Sequence, residues 1–110
     1  MTSVHDQHAD TGYVVLCYDA AGSAVKRETA SREHLAYIET ILPEINVAGP
    51  LYDESGTKQV GSMFCYRTKS LARARELLEG DPYFRHGVYA STDYLPFLPA
   101  AGRYLGGKIW

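Results

Sequence analysis

The sequence predicts an α+β domain in which a four-stranded antiparallel sheet carries two helices on one face. Three observations lead there. Four runs rich in β-branched and aromatic residues, at 13–18, 47–52, 60–66 and 88–95, are bounded by turn-forming residues. Two intervening stretches place apolar residues at helical spacing. The resulting order, strand-helix-strand-strand-helix-strand, pairs all four strands in one sheet and leaves both helices to cover the same side.

The first strand, residues 13–18, ends at the break formed by Asp19, Ala20, Ala21, Gly22 and Ser23. The first helix is expected from about residue 32 to about residue 42. Leu35, Ile38, Ile41 and Leu42 fall on one face, Ser31 is placed as N-cap, and Pro43 forbids much continuation. His34 then lies in the first turn. The second strand contains Pro50, which cannot donate to a ladder and points to an edge position. A polar connection at 53–59 joins it to the third strand as a hairpin. Ser70 caps a second helix built on Leu71, Ala74, Leu77 and Leu78, and Gly80 can end it in a left-handed conformation. Asp81 follows at the helix exit, where Pro82 holds it extended and can begin a short turn. The fourth strand, residues 88–95, is closed by Pro96.

Bulk properties narrow the function classes. The chain has 110 residues, enough for one domain with a core. Residues 1–11 read as a disordered polar tail, 12–97 as the folded domain, and 98–110 as a C-terminal extension whose apolar end is expected to cross to a second subunit. A net charge of -2 and a pI near 6.0 supply no basic surface for nucleic acid. No apolar run approaches a membrane span and no signal-peptide pattern opens the chain, so a cytoplasmic protein is expected. Cys17 and Cys65 lack metal-ligand spacing and lie in strand-like runs, which suits reduced, buried thiols. No cofactor motif or metal set is present in the sequence pattern.

The topology decides which polar residues meet. The start of the first helix and the exit of the second share one edge of the sheet, so His34 and Asp81 can approach closely. A carboxylate beside an imidazole fixes the ring tautomer and steadies the charge the ring acquires, which is the logic of a His-Asp acid-base pair. Ser62, beside Gly61, can donate to a ligand or serve only a turn. Tyr83 and Tyr89 flank the pair and can line a pocket or simply pack. One sheet face is left uncovered with alternate apolar residues, which predicts a homodimer formed through that face, or a higher oligomer built from it.

This arrangement is ferredoxin-like, and the residues resemble the YCII-related (YciI-like) domain family of the dimeric α+β barrel superfamily. The matching set is His34 and Leu35, Gly49 and Pro50, Gly61 and Ser62, the run Asp81, Pro82 and Tyr83, the run Gly87, Val88 and Tyr89, and the closing Pro96 and Phe97. The resemblance implies that His34 and Asp81 are the catalytic pair acting on a small-molecule substrate; Ser62, Tyr83 and Tyr89 stay candidate substrate contacts from their own positions, beside Arg32. It implies cofactor-free proton abstraction leading to elimination, dehydrochlorination or isomerisation. A non-catalytic dimeric module that binds a metabolite or a protein is the alternative. The family often carries Arg-Pro just before the histidine; Ser31 and Arg32 stand there instead, with Arg32 able to reach the same place.

Overall fold

The computed structural model describes residues 10–105 together with 107 and 108, with side chains through residue 104. Most of the expected N-terminal tail and the apolar end of the extension, Ile109 and Trp110, lie outside the described residues. Among those described, no helix is long and apolar enough to cross a membrane.

The chain runs through β1 (Gly12–Asp19), α1 (Ser23–Thr40), a 3-10 turn (Leu42–Glu44), β2 (Ile45–Tyr52), β3 (Gln59–Tyr66) and α2 (Leu71–Glu79). A short helix α3 (Pro82–Arg85) and β4 (Tyr89–Phe97) complete the domain. Beyond them a small two-stranded ribbon forms from β5 (Ala101–Gly102) and β6 (Gly107–Lys108). The main sheet has the order β2-β3-β1-β4, with every neighbouring pair antiparallel. This is the ferredoxin-like α+β architecture, with the chain's two prolines in strands, Pro50 and Pro96, both on edge strands where a missing amide donor is tolerated.

The core lies between the sheet and the helices. Val15 and Cys17 of β1 and Phe64 and Tyr66 of β3 alternate onto the helix side, where Ala74, Leu77 and Leu78 of α2 and Ile41 close over them. Both described cysteines are free, and burial pushes the Cys17 thiol up to about 12, so it stays protonated and packs as a small apolar group. Gly61 is required by sterics, since a Cβ there would collide with the carbonyl oxygen of Cys17 on the neighbouring strand. The opposite sheet face is less covered: Val47, Leu95 and Phe97 remain exposed. Residues 99–104 overlie one end of it, where Val14, Val47, Met63, Cys65 and Phe97 border a cavity of about 360 Å³.

Three boundaries differ from expectation, each for a tertiary reason. The first helix begins at Ser23, with Gly22 as a left-handed N-cap and no side-chain cap, so Ser31 is an interior residue whose hydroxyl donates to the Glu28 carbonyl. His34 therefore sits mid-helix, beyond the first turn to which the helix dipole's effect is confined. Gly80 is not left-handed but right-handed helical, at φ -78°. Its small size is used differently: a Cβ would come within 2.7 Å of the Tyr37 hydroxyl, which donates to the Leu77 carbonyl at 2.7 Å and ties α1 to α2. Pro96 does not close the fourth strand, because an edge position lets pairing continue to Phe97 opposite Gly12.

Candidate active site

The site grows from the inward face of α1. Residues 27, 30, 34, 38 and 41 recur at helical spacing. Arg27, Ala30 and Ile41 are buried, and Ile38 packs against the core. His34 occupies the middle of this stripe. On the other side, the chain leaves α2 with the Asp81 amide still donating to the Leu78 carbonyl, then turns at φ -73° and ψ 128°, held extended by Pro82. Asp81 becomes the N-cap of α3, its Oδ1 accepting from the Tyr83 amide at 2.9 Å. Ala30, Tyr83 and Val88 pack together and lock α3 against α1.

That packing brings His34 Nδ1 to 2.7 Å from the same Asp81 Oδ1. Asp81 is fully buried, while the His34 side chain keeps 13% of its surface accessible. A carboxylate in its ionised form only accepts, so opposite it the ring nitrogen carries the hydrogen, and in a neutral ring Nε2 then keeps the lone pair. The Tyr83 ring stacks on the imidazole, with centroids 3.8 Å apart and planes 6° from parallel.

A pocket of about 310 Å³ opens beside the ring between α1 and the β2-β3 edge. His34, Tyr83 and Ser62 border it, with Ile38, Pro50 and Phe64 as apolar wall. Tyr89 stands behind, its hydroxyl donating to Ser62 Oγ at 2.9 Å. Burial raises the Tyr83 phenol, partly offset by the Arg27 charge, and raises Tyr89 further, so both remain protonated near neutral pH. Arg32, expected as a binding residue, is exposed and does not border the pocket. With α1 starting nine residues earlier than expected, the arginine that does border it is Arg27.

Arg27 is only 5% exposed. Its Nε and Nη2 grip Asp19 at 2.8 and 2.9 Å, and Nη2 also reaches the Gly61 carbonyl at 2.9 Å and Ser62 Oγ at 3.0 Å. The guanidinium carbon lies 5.1 Å from the Tyr83 ring centre and 5.9 Å from that of Tyr89. Burial opposes its charge, but the hydrogen bond and attraction of Asp19 outweigh that and hold its pKa above the ordinary arginine value. Sequence periodicity missed this residue because an arginine on the inner face of a helix reads as a break in the apolar stripe. Its spacing of seven from His34, two helical turns, was the available signal.

Fold and site together define a ferredoxin-like α+β domain with a buried carboxylate holding an imidazole at the wall of a small pocket. The chain belongs to the YCII-related domain family, whose sequence profile matches residues 11–98. A solved structure of 5-chloro-2-hydroxyhydroquinone dehydrochlorinase from Burkholderia phenoliruptrix AC1100, in complex with 2,5-dihydroxybenzoquinone, is similar in fold. The TM-score is 0.70 at 24% identity, covering 84% of this chain and 96% of that one. No curated protein sequence matches the chain.

Proposed function

We propose that the protein is a cofactor-free small-molecule enzyme in which His34 Nε2 removes a proton and Asp81 orients the ring and steadies its charge. The observation that carries this reading is the 2.7 Å contact of Nδ1 with a fully buried carboxylate, in a ring that borders a pocket and has Nε2 uncommitted to Asp81. Tyr83, Ser62 and the apolar wall would bind the substrate and exclude water. Once the proton has moved, loss of a leaving group gives elimination, including loss of HCl from a chlorinated ring, and return of the proton elsewhere gives isomerisation. The fold likeness to a dehydrochlorinase supports the first of these.

The test is chloride release from 5-chloro-2-hydroxyhydroquinone and a panel of chlorinated hydroquinones, followed with a chloride-selective electrode. Turnover above the spontaneous rate is the expected result. Tight binding of 2,5-dihydroxybenzoquinone with no turnover of any panel member, and no isomerisation of an unsaturated lactone set, would leave the chain a binding module.

We further propose a homodimer formed by apposing the open sheet faces. Leu95 and Phe97, neighbours on that face of β4, are 50% and 41% exposed, and Val47 on the opposite edge strand of the same face is 39% exposed, so apolar surface is left open at both edges of the face. Light scattering at micromolar concentration should give a mass of two chains. A Leu95→Arg variant should shift that mass toward one chain, whereas a monomeric wild type would exclude this face as an interface.

A further inference from the structure

The two oxygens of the buried Asp81 carboxylate are served unequally. Oδ1 accepts from His34 Nδ1 at 2.7 Å and from the Tyr83 amide at 2.9 Å. Oδ2 is buried with no hydrogen-bond partner among the described residues. The Tyr66 hydroxyl shares that condition: the residue is fully buried and its hydroxyl is unpartnered. Thr11 Oγ1, just before β1, is the third such oxygen. Asp81 and Tyr66 meet the same part of the core. Tyr66 packs in one cluster with Leu77 and Leu78 at the end of α2, and the Asp81 amide donates to the Leu78 carbonyl at 3.0 Å. Burial first, and then the Asp81 charge, raises the Tyr66 phenol well above its ordinary value, so it keeps its hydrogen at any working pH. A phenol with a hydrogen to give and a carboxylate oxygen with lone pairs to fill thus lie within electrostatic reach of each other, yet beyond direct hydrogen-bond distance. Native proteins rarely leave such buried groups idle.

We propose that one internal water bridges the Tyr66 hydroxyl to Asp81 Oδ2, which makes Tyr66 a positioning residue that acts on His34 through Asp81. The proposal rests on the base assignment above and adds a member to it. The water accepts from the phenol and donates to Oδ2, two partners of the kind that hold a buried water. No proton changes owner along this chain; its effect is on the carboxylate. A donor to the charged form stabilises that form, so the carboxylate pulls less on its other hydrogens. When His34 Nε2 takes the substrate's proton, Asp81 steadies the imidazolium without drawing the Nδ1 hydrogen across the 2.7 Å bond. An Oδ2 left bare in the core would concentrate the negative charge and strengthen that pull. Tyr66 does not border the pocket, so it has no part in holding the substrate, and a change there leaves the pocket wall intact.

The test needs no turnover, so its failure is distinguishable from that of the base assignment. In wild-type protein the Tyr66 hydroxyl hydrogen should be resolved by NMR and show a cross-relaxation peak to a long-lived bound water. Tyr66→Phe removes one oxygen and keeps the ring that fills the core. In that variant the His34 Nδ1 hydrogen should move further downfield, because the carboxylate without its second donor pulls harder on it. The urea midpoint should fall by roughly 0.5–1 M, since the loss of a hydrogen bond to a charged group outweighs the easier burial of phenylalanine. A hydroxyl that is merely idle in an apolar core gives the opposite sign: phenylalanine then relieves an unpaired polar group, the midpoint rises and the His34 signal stays where it was. A midpoint unchanged or raised in Tyr66→Phe, an unmoved His34 hydrogen, or a wild-type Tyr66 hydroxyl with no bound water beside it would overturn the bridge. Turnover that His34→Ala abolishes alongside such a result would leave His34 as base and remove only Tyr66 from the account.

Discussion

His34→Ala is expected to lower turnover by on the order of a hundredfold to ten-thousandfold, the usual contribution of a positioned general base. The effect should fall on kcat, since the imidazole's work is done in the transition state and the pocket walls that bind substrate are untouched. Asp81→Asn should cost less. Asparagine caps a helix nearly as well as aspartate, so α3 is retained, and its amide oxygen can still accept from Nδ1, yet it cannot balance the charge of an imidazolium. Combining the two changes should cost little more than His34→Ala alone, because the carboxylate acts only through the ring. Losses that add in full would show the residues acting independently.

The second large effect is on stability. Arg27→Met is expected to destabilise the fold by about 3–5 kcal/mol, because it strands a buried carboxylate. The Asp19 side chain is 6% exposed, and without the guanidinium it keeps the Ser23 hydroxyl, which donates to it at 3.1 Å. The Gly61 carbonyl loses its side-chain donor as well. Replacing both members, as Arg27→Met with Asp19→Leu, should recover much of the loss, since an apolar pair needs no compensation. Urea unfolding of the four proteins gives the coupling directly. A single-variant loss below about 1 kcal/mol, the range of solvent-exposed pairs, would mean that water reaches this ion pair.

Strand positions and the helix-sheet layering were legible because period-two and helical apolar patterns are local properties. The edge location of Pro50 followed from a missing donor, and the extended Asp81 from the proline after it. The first two turns of α1 were hidden for a physical reason. Between Ser23 and Ala30 the buried face is carried by Arg27 and Ala30, while the apolar Val25 is 70% exposed, the reverse of an amphipathic helix. Its start also uses a glycine without a side-chain cap, so a later serine looked the better N-cap. The same error placed His34 at a helix end; Arg32 was singled out by the family resemblance, not by the helix pattern. Gly80 was misread because its reason, the Tyr37 hydroxyl on another helix, is not local. Polar burial is where local pattern and global fold part company, and here two of the buried polar residues, Arg27 and Ser62, border the pocket.

The most direct measurement on the central assignment is the protonation pattern of the His34 ring, read by long-range proton-nitrogen NMR at a pH where the ring is neutral. The account predicts a hydrogen on Nδ1, strongly deshielded by the short bond to Asp81, and an unprotonated Nε2 facing the pocket. In Asp81→Asn the deshielding should collapse and the tautomers should mix. A hydrogen on Nε2 in the wild-type protein, or a ring indifferent to the Asp81 substitution, would contradict it, since neither leaves an oriented base to take a proton from the substrate.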